Sequence, residues 1–382
     1  MSLLKQMLLL EKSMALLPSA IELNLSAYPL RIYTNSPALI NFLKDYFRGW
    51  ITKVNRDEPW PKEQSIKIYH SDSLNDLIDE AAWTDWQRDG GKTGRKEAIL
   101  DSVLPQQAVR LLYKYRTGLV FLQPAPQARP ENAQYSPLAF GEIEANFNQV
   151  INFILTQYAN RNLRHDWQLM HASAVQVQNK GIAFAGFSGG GKSTLMLQLL
   201  EHGQHFISND RVFIKPNPEG RLLMRGLPKQ PRVNPGTLVN NRHLINLIGE
   251  EARRHYLALP QETLRILEQK YDVPVNALFG ADCYAPESPL HALFVLNWQH
   301  GNTQPIRINP VELSERPDLL QAIMKSPGPL YAEPGIGFLP NGYQPQPEPY
   351  LKALHRCKVF EIVGRVDFGA AEHAILKLIP GL

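Results

Sequence analysis

The chain has 382 residues, with 40 Lys plus Arg against 36 Asp plus Glu and a formal net charge of +4. Its 44% hydrophobic and 20% charged residues can bury a sizeable core, which excludes a largely disordered chain. So small a basic surplus over this length excludes a dedicated nucleic-acid binder unless its cations are gathered in a local patch. The two cysteines, Cys283 and Cys357, exclude a disulfide framework and a cysteine zinc cage, and point to a reducing, cytoplasmic setting.

Residues 1–20 carry Leu3, Leu4, Met7, Leu8, Leu9 and Leu10, interrupted by Lys5, Glu11 and Lys12, and read as an amphipathic helix rather than a targeting segment. No run reaches the ~20 apolar residues needed to cross a bilayer. From residue 21 to 123, short alternations such as Leu30-Arg31-Ile32-Tyr33 and Ile66-Lys67-Ile68-Tyr69 predict strands, with a helix over 37–50. Residues 109–115 and 118–123 predict a hairpin around Arg116-Thr117-Gly118. In 144–159, Phe147, Val150, Ile151, Ile154, Leu155 and Tyr158 recur at helical spacing. Together these elements predict an α+β domain over residues 1–164.

From Trp167 the pattern changes. Residues 169–177 and 182–187 predict adjacent strands joined at Asn179-Lys180-Gly181, the second running into a glycine-rich loop. Further strands are expected over 206–215, 222–227, 293–298 and 359–363, with helices near 238–248, 262–270, 319–325 and 370–378. This predicts an α/β domain over 165–382. Its stretch 327–349 holds seven prolines and four glycines and reads as an ordered wrap or a flap.

Gly186-Phe187-Ser188-Gly189-Gly190-Gly191-Lys192-Ser193 fits G-x-x-x-x-G-K-[ST], with an apolar strand before it and an amphipathic helix after it. Glycines at these places let backbone N–H groups turn inward around phosphate oxygens, and the helix N-terminus adds its partial positive charge. Lys192 suits the β- and γ-phosphates of ATP, and the Ser193 hydroxyl suits a bridging Mg²⁺. Thr194 adjoins them. The bland alternative, a glycine-rich turn with an incidental lysine, does not explain eight matched positions in a strand-loop-helix context. A partial echo, Asp89-Gly90-Gly91-Lys92-Thr93-Gly94-Arg95-Lys96, has Trp86 where the pattern requires glycine. It reads as an exposed basic turn, or at most a holder of an anionic group.

Asp210 follows the loop by only one helix, and Met170-His171-Ala172-Ser173-Ala174 occupies the strand before it. This arrangement resembles the catalytic domain of the HPr kinase/phosphorylase family, in which a histidine precedes the loop and two aspartates follow its helix. The segments Gly118-Leu119-Val120-Phe121-Leu122-Gln123, Asn148-Gln149-Val150-Ile151-Asn152-Phe153 and Pro228-Lys229-Gln230-Pro231-Arg232-Val233-Asn234-Pro235-Gly236-Thr237, with the loop itself, resemble the subgroup called HprK-related kinase B. The resemblance implies an α/β chain. Its C-terminal P-loop domain would have the HPr kinase and phosphoenolpyruvate-carboxykinase fold, with a mainly β or mixed sheet, behind a smaller α+β domain for acceptor selection or assembly. It further implies a Mg²⁺-assisted, ATP-dependent kinase acting on the hydroxyl of a protein serine or a small metabolite, and association into homo-oligomers. Neither nucleic acid nor membrane is an expected partner.

The chain departs from that family at Asn209, where the first aspartate belongs. An amide cannot take a proton at physiological pH. Asp210 is then the expected Mg²⁺ partner together with Ser193, and either His171 or Asp210 is the general base; a core strand histidine and a turn acid are the plainer readings. Lys229 and Arg232 lie in a stiff basic loop suited to clamping phosphate, Arg232 being preferred over Lys325. A non-catalytic nucleotide sensor is the alternative that Asn209 motivates. A motor or switch ATPase ranks behind both, because no separate distal metal aspartate is evident.

Overall fold

The computed structural model describes residues 2–25, 28–55, 60–74, 78, 81–87, 95–187, 189–202, 204–267, 269–280 and 282–381. Ser188 and residues 89–94 of the basic turn therefore lie outside the described residues. Contacts divide the chain into two units, Met1–His165 with Ser326–Gln344, and Asp166–Lys325 with Pro345–Leu382. Each is a mixed α/β assembly around a large mixed sheet.

In the first unit the strands are β1 (Ser19–Leu25), β2 (Tyr28–Thr34), β3 (Ile51–Asn55), β4 (Ser65–His70), β5 (Thr84–Asp85), β6 (Glu97–Leu104), β7 (Gln107–Lys114), β8 (Val120–Pro124) and β9 (Leu138–Gly141). Their order is β3-β1-β2-β4-β9-β8-β7-β6-β5. The expected hairpin is β7 with β8, in the register Leu111↔Leu122. Along β8 the side chains alternate: Val120 and Leu122 enter a core shared with Leu3, Leu4 and Met7 of the helix Leu3–Ser13. Phe121 faces the other way and stacks on Phe153 of the helix Phe147–Leu163, centroids 4.6 Å apart. This is the period-two pattern of a strand covered on both sides.

In the second unit the strands are β10 (Gln168–Met170), β11 (Ala172–Val177), β12 (Lys180–Gly186), β13 (His205–Ser208), β14 (Val212–Pro216), β15 (Leu222–Gly226), β16 (Arg232–Val233), β17 (Tyr271–Asp272), β18 (Glu287–Leu296) and β19 (Arg307–Pro310). Two short strands, β20 (Ala332–Glu333) and β21 (Gly337–Phe338), lie in the stretch that belongs to the first unit, and β22 (Lys358–Val363) returns to the second. The main path runs β10-β14-β15-β18-β12-β11-β13, and β22 pairs with β18 and β19. Parallel pairing of β12 with β18 and of β18 with β22 brings their C-terminal ends to one edge. Ile182 and Phe184 enter the core on one face, with Leu195 and Met196 of the helix Lys192–Leu200. Ala183 and Ala185 enter the core on the other, with Leu319, Leu320 and Tyr350. A strand buried on both faces reads as a continuous apolar run, as Ile182-Ala183-Phe184-Ala185 does.

Several expected elements are shorter than the apolar pattern suggests. The strand expected over 169–177 breaks at His171, whose N–H donates to Ile323 O at 2.7 Å. The strand expected over 206–215 breaks at Asp210, which holds a left-handed φ of 68°, a conformation no strand continues through. The helix expected near 238–248 is instead a turn of helix at Pro235–Val239 and a 3₁₀ turn at Ile245–Leu247. There Asn241 Oδ1 accepts from the N–H groups of His243 and Leu244, each at 3.0 Å, which competes with helix continuation. The proline-rich stretch is bound into the first unit. Arg110 Nη1 donates to Pro329 O and Leu339 O, both at 2.9 Å, and Asn160 Nδ2 donates to Leu330 O at 2.8 Å. A single cut after residue 164 therefore does not separate the two units, because residues 326–344 return to the first. No helix among the described residues is long and apolar enough to cross a membrane.

Candidate functional site

The site is set by where strands end. In the second sheet Ala172 pairs with Ala185 and Ala174 with Ser208. His171, the start of the glycine-rich loop at Gly186, and the Asn209-Asp210 turn thus lie at one edge. Ligand-binding residues of open α/β sheets gather at such strand ends.

The loop depends on glycine where a side chain has no room. Gly186 has φ 144°, and a Cβ there would come within 2.9 Å of Leu296 O. Gly191 has φ 90°, and its Cβ would lie 2.5 Å from the ring of Phe368. Gly190 N–H donates to Phe187 O at 3.1 Å, and Trp298 Nε1 donates to Gly190 O at 2.8 Å. Trp298 itself packs edge-on against Phe368, centroids 5.1 Å apart. The loop is thereby tied to the strand and helix beside it.

Lys192 is buried, and its Nζ donates to Gly186 O at 2.8 Å and Phe187 O at 3.1 Å. Ser173 Oγ, buried in β11, donates to Lys192 O at 3.0 Å. The hydroxyl of Ser193 donates to Asn209 Oδ1 at 2.7 Å, so the residue brought to Ser193 is the amide rather than Asp210. Thr194 Oγ1 lies 2.9 Å from Thr237 Oγ1, and Thr237 is held in turn by Asn234. Gly189, like Gly191, has positive φ.

Half of the Asp210 side-chain surface meets solvent, yet protein and charge surround it. Its Oδ1 lies 3.3 Å from His171 Nε2, its Oδ2 lies 3.3 Å from Lys325 Nζ, and Arg211 Nε is 4.0 Å away. Burial alone would raise the carboxyl, but Lys325, His171 and Arg211 outweigh it and hold Asp210 well below the usual carboxylate range. For His171 burial is the largest influence and pushes its pKa down. The bond with Asp210 opposes this, while Lys325 and Lys192 reinforce it. The imidazole is therefore poised neutral and able to accept a proton.

Lys229 arrives by register, because Val212 pairs with Gly226 and the chain beyond β15 passes the Asp210-Arg211 turn. Gly226 is required for that approach: a Cβ there would lie 1.9 Å from Ile207 O. Burial, then the neighbouring Arg211 and, more weakly, Arg232, lowers the Lys229 pKa to about 8 against the pull of Asp210 and Asp272. Arg232 sits on β16, and its Nε lies 3.1 Å from Asp272 Oδ1 on β17. The expected preference for Arg232 over Lys325 is reversed in placement, since Lys325 touches Asp210 while Arg232 has Asp272.

Lys325, ranked behind Arg232 on the sequence, is a cation that touches Asp210. Its backbone N–H donates to Leu169 O at 3.2 Å, and with the His171 bond to Ile323 this seats residues 323–325 against the β10 edge. A basic residue before Ser326-Pro327-Gly328 was a visible signal, but only that pairing supplies the partner. Arg211 and Trp298 carried no signal beyond their proximity to Asp210 and to the end of β18. For a hard divalent cation, oxygen ligands are required. Ser193 Oγ, Asn209 Oδ1 and the Asp210 carboxylate are such donors, and with phosphate oxygens and water they fit Mg²⁺.

No family model matches the chain, and no curated protein matches it. Among solved structures, the Hpr(Ser) kinase/phosphatase from Coxiella burnetii is distantly similar. It has 12% sequence identity and a TM-score of 0.29, covering 55% of this chain and 98% of that one.

Proposed function

We propose that the chain is an ATP-dependent kinase that transfers the γ-phosphoryl group to a hydroxyl, as its likeness to HprK-related kinase B implies. One observation carries the reading: a strand-loop-helix phosphate motif ends beside an ionised carboxylate, a neutral histidine and several cations. Backbone N–H groups of the loop and Lys192 would hold the β- and γ-phosphates, Lys192 leaving its two loop carbonyls for the stronger charge-assisted contacts. Ser193, Asn209 and Asp210 would hold Mg²⁺, which would supply neutralisation of the phosphate charge when bound.

Transfer makes a bond from the acceptor oxygen to the γ-phosphorus and breaks the bond to the β–γ bridging oxygen, so that ADP leaves. The acceptor proton goes to His171 or to Asp210; their 3.3 Å approach lets one orient the other. Lys325 and Lys229 would neutralise charge that develops on the transferring group. The acceptor is a protein serine or a small metabolite hydroxyl. The test is transfer of labelled γ-phosphate from ATP with Mg²⁺ across protein and metabolite acceptors. Transfer lost in Asp210→Asn supports the kinase; wild-type ATP binding with no acceptor phosphorylated refutes it.

A second reading rests on Asn209. An amide where a proton-accepting acid is expected suits a nucleotide sensor that binds ATP without turnover. In that case Lys192→Ala loses ATP affinity, whereas Asp210→Asn leaves every nucleotide-dependent response in place.

A further inference from the structure

A cavity open to solvent lies wholly within the first unit between the helix Phe147–Leu163 and the ends of β2, β7 and β8. Its wall includes Glu63, Arg161, Arg164, Gln107, Gln123 and Gln157. The three glutamines are buried, which is unusual for that residue type. They are also held in place: Gln107 Nε2 donates to Ala125 O and Gln157 Nε2 to Gln123 Oε1, both at 2.7 Å. Buried polar side chains fixed by their neighbours around an open space are the construction of a ligand site.

The charges show what is wanted there. Arg164 Nη1 donates to Glu63 Oε1 at 2.6 Å, and Arg161 Nη1 reaches the same oxygen only at 4.0 Å. One carboxylate oxygen thus serves two guanidinium groups. Glu63 Oε2 and Arg161 Nε are buried without a hydrogen-bond partner, a costly state for charged groups. The guanidinium of Arg161 lies 5.1 Å over the ring of Tyr28, which fixes its plane. Burial lowers the pKa of Arg164 against the pull of Glu63, so a further negative group would offset its desolvation.

We infer that this cavity binds a small carboxylic acid bearing a neighbouring hydroxyl or ammonium group. The carboxylate accepts from the Arg161 guanidinium, and the hydroxyl or ammonium donates to the Glu63 carboxylate, both residues of the cavity wall. Two cations against one carboxylate leave a surplus of one positive charge, which a monoanion balances. A phosphate dianion would overshoot it by one charge. The proline and tyrosine walls, Pro124 and Tyr158 among them, suit an apolar remainder of the ligand.

Titration calorimetry on the full chain tests this with lactate, malate, alanine, serine and glutamate, and with propionate and inorganic phosphate as comparisons. At least one substituted acid is expected to bind with Kd below about 1 mM, and its unsubstituted counterpart roughly tenfold more weakly. Arg161→Gln should weaken that binding about tenfold or more. Gln127→Glu adds a negative charge at the cavity lining without touching the buried pairs, and should weaken it several-fold even if Arg161→Gln fails to fold. Glu63→Gln separates the sources: an amino acid loses at least about tenfold, and a hydroxy acid less than about threefold, because an amide oxygen still accepts from a hydroxyl. The inference is overturned by any of four results: no acid binding up to about 10 mM, binding of phosphate alone, binding indifferent to both Arg161→Gln and Gln127→Glu, or competitive displacement by ATP.

Discussion

At the edge of the second sheet, Lys325, Arg211 and Lys229 gather about the single carboxylate of Asp210. In the cavity of the first unit, two guanidinium groups share the carboxylate of Glu63 and three fixed glutamines complete the wall. The first arrangement leaves a strong positive surplus around an ionised acid, at loops that end strands. The second leaves one charge of surplus and several neutral hydrogen-bonding groups on a helix and a sheet. A surplus of several cations suits a polyanion whose charge shifts during reaction, whereas a near-balanced wall suits a singly charged molecule that is only held. Loops can approach a reacting group from several directions; side chains on rigid elements hold a fixed shape.

The sharpest way to break that contrast is at Asp210. Asp210→Asn should lower phosphoryl transfer by about 10²–10⁴ while ATP affinity, measured by calorimetry, changes less than about threefold. An unchanged transfer rate would remove Asp210 from the chemistry. Lys192→Ala should lower transfer by about 10²–10³ and weaken ATP binding as well, and neither substitution should alter acid binding in the first unit.

The pH profile sharpens the role of the cations. Transfer should rise with pH through the region below 6.5, where His171 loses its proton. It should fall about tenfold per unit above about 8, as Lys229 loses its own. Lys229→Arg should abolish the alkaline fall; a wild-type rate that stays flat to pH 9.5 would show that the Lys229 charge is not used. His171 and Asp210 both have folded pKa values below their unfolded ones. Their contribution to stability is therefore present at neutral pH and lost as pH falls, first below about 6.5 for the histidine and then below about 4 for the acid.

Gly226→Ala, outside the glycine-rich loop, should destabilise the second unit by about 2–4 kcal/mol in denaturant unfolding, since its methyl would collide with Ile207 O. At the small end, Arg95→Ala should leave ATP binding unchanged. Its exposed guanidinium is already paired with Asp85 and Tyr115.

Local signals carried some parts of the site and not others. The loop is legible from its own glycine and lysine spacing and Asp210 from its place one helix after it, whereas His171 stands out only through the family resemblance, since by itself it reads as an ordinary strand histidine. Lys325 lies 115 residues beyond Asp210 and meets it through the backbone bonds of residues 323–325 to the β10 edge. No local pattern encodes such a contact. The breaks at His171 and Asp210 were likewise hidden inside apolar runs that read as continuous strands. The cavity has no motif at all: Glu63, Gln107, Gln123, Gln157, Arg161 and Arg164 come from four separate segments, and each by itself is an ordinary polar residue.

The amino-acid sequence by itself determined the strand-loop-helix with its glycines, the hairpin of β7 and β8, and the helix that begins at Phe147, because each rests on neighbours within a few residues. Tertiary structure alone decided that Ser193 meets Asn209, that Lys325 rather than Arg232 contacts Asp210, and that residues 326–344 bind back to the first unit. It also decided that Arg161 and Glu63 each keep a buried atom unpaired. These outcomes depend on which distant backbone groups find partners and on how burial and neighbouring charge divide a shared carboxylate, neither of which is written in local spacing.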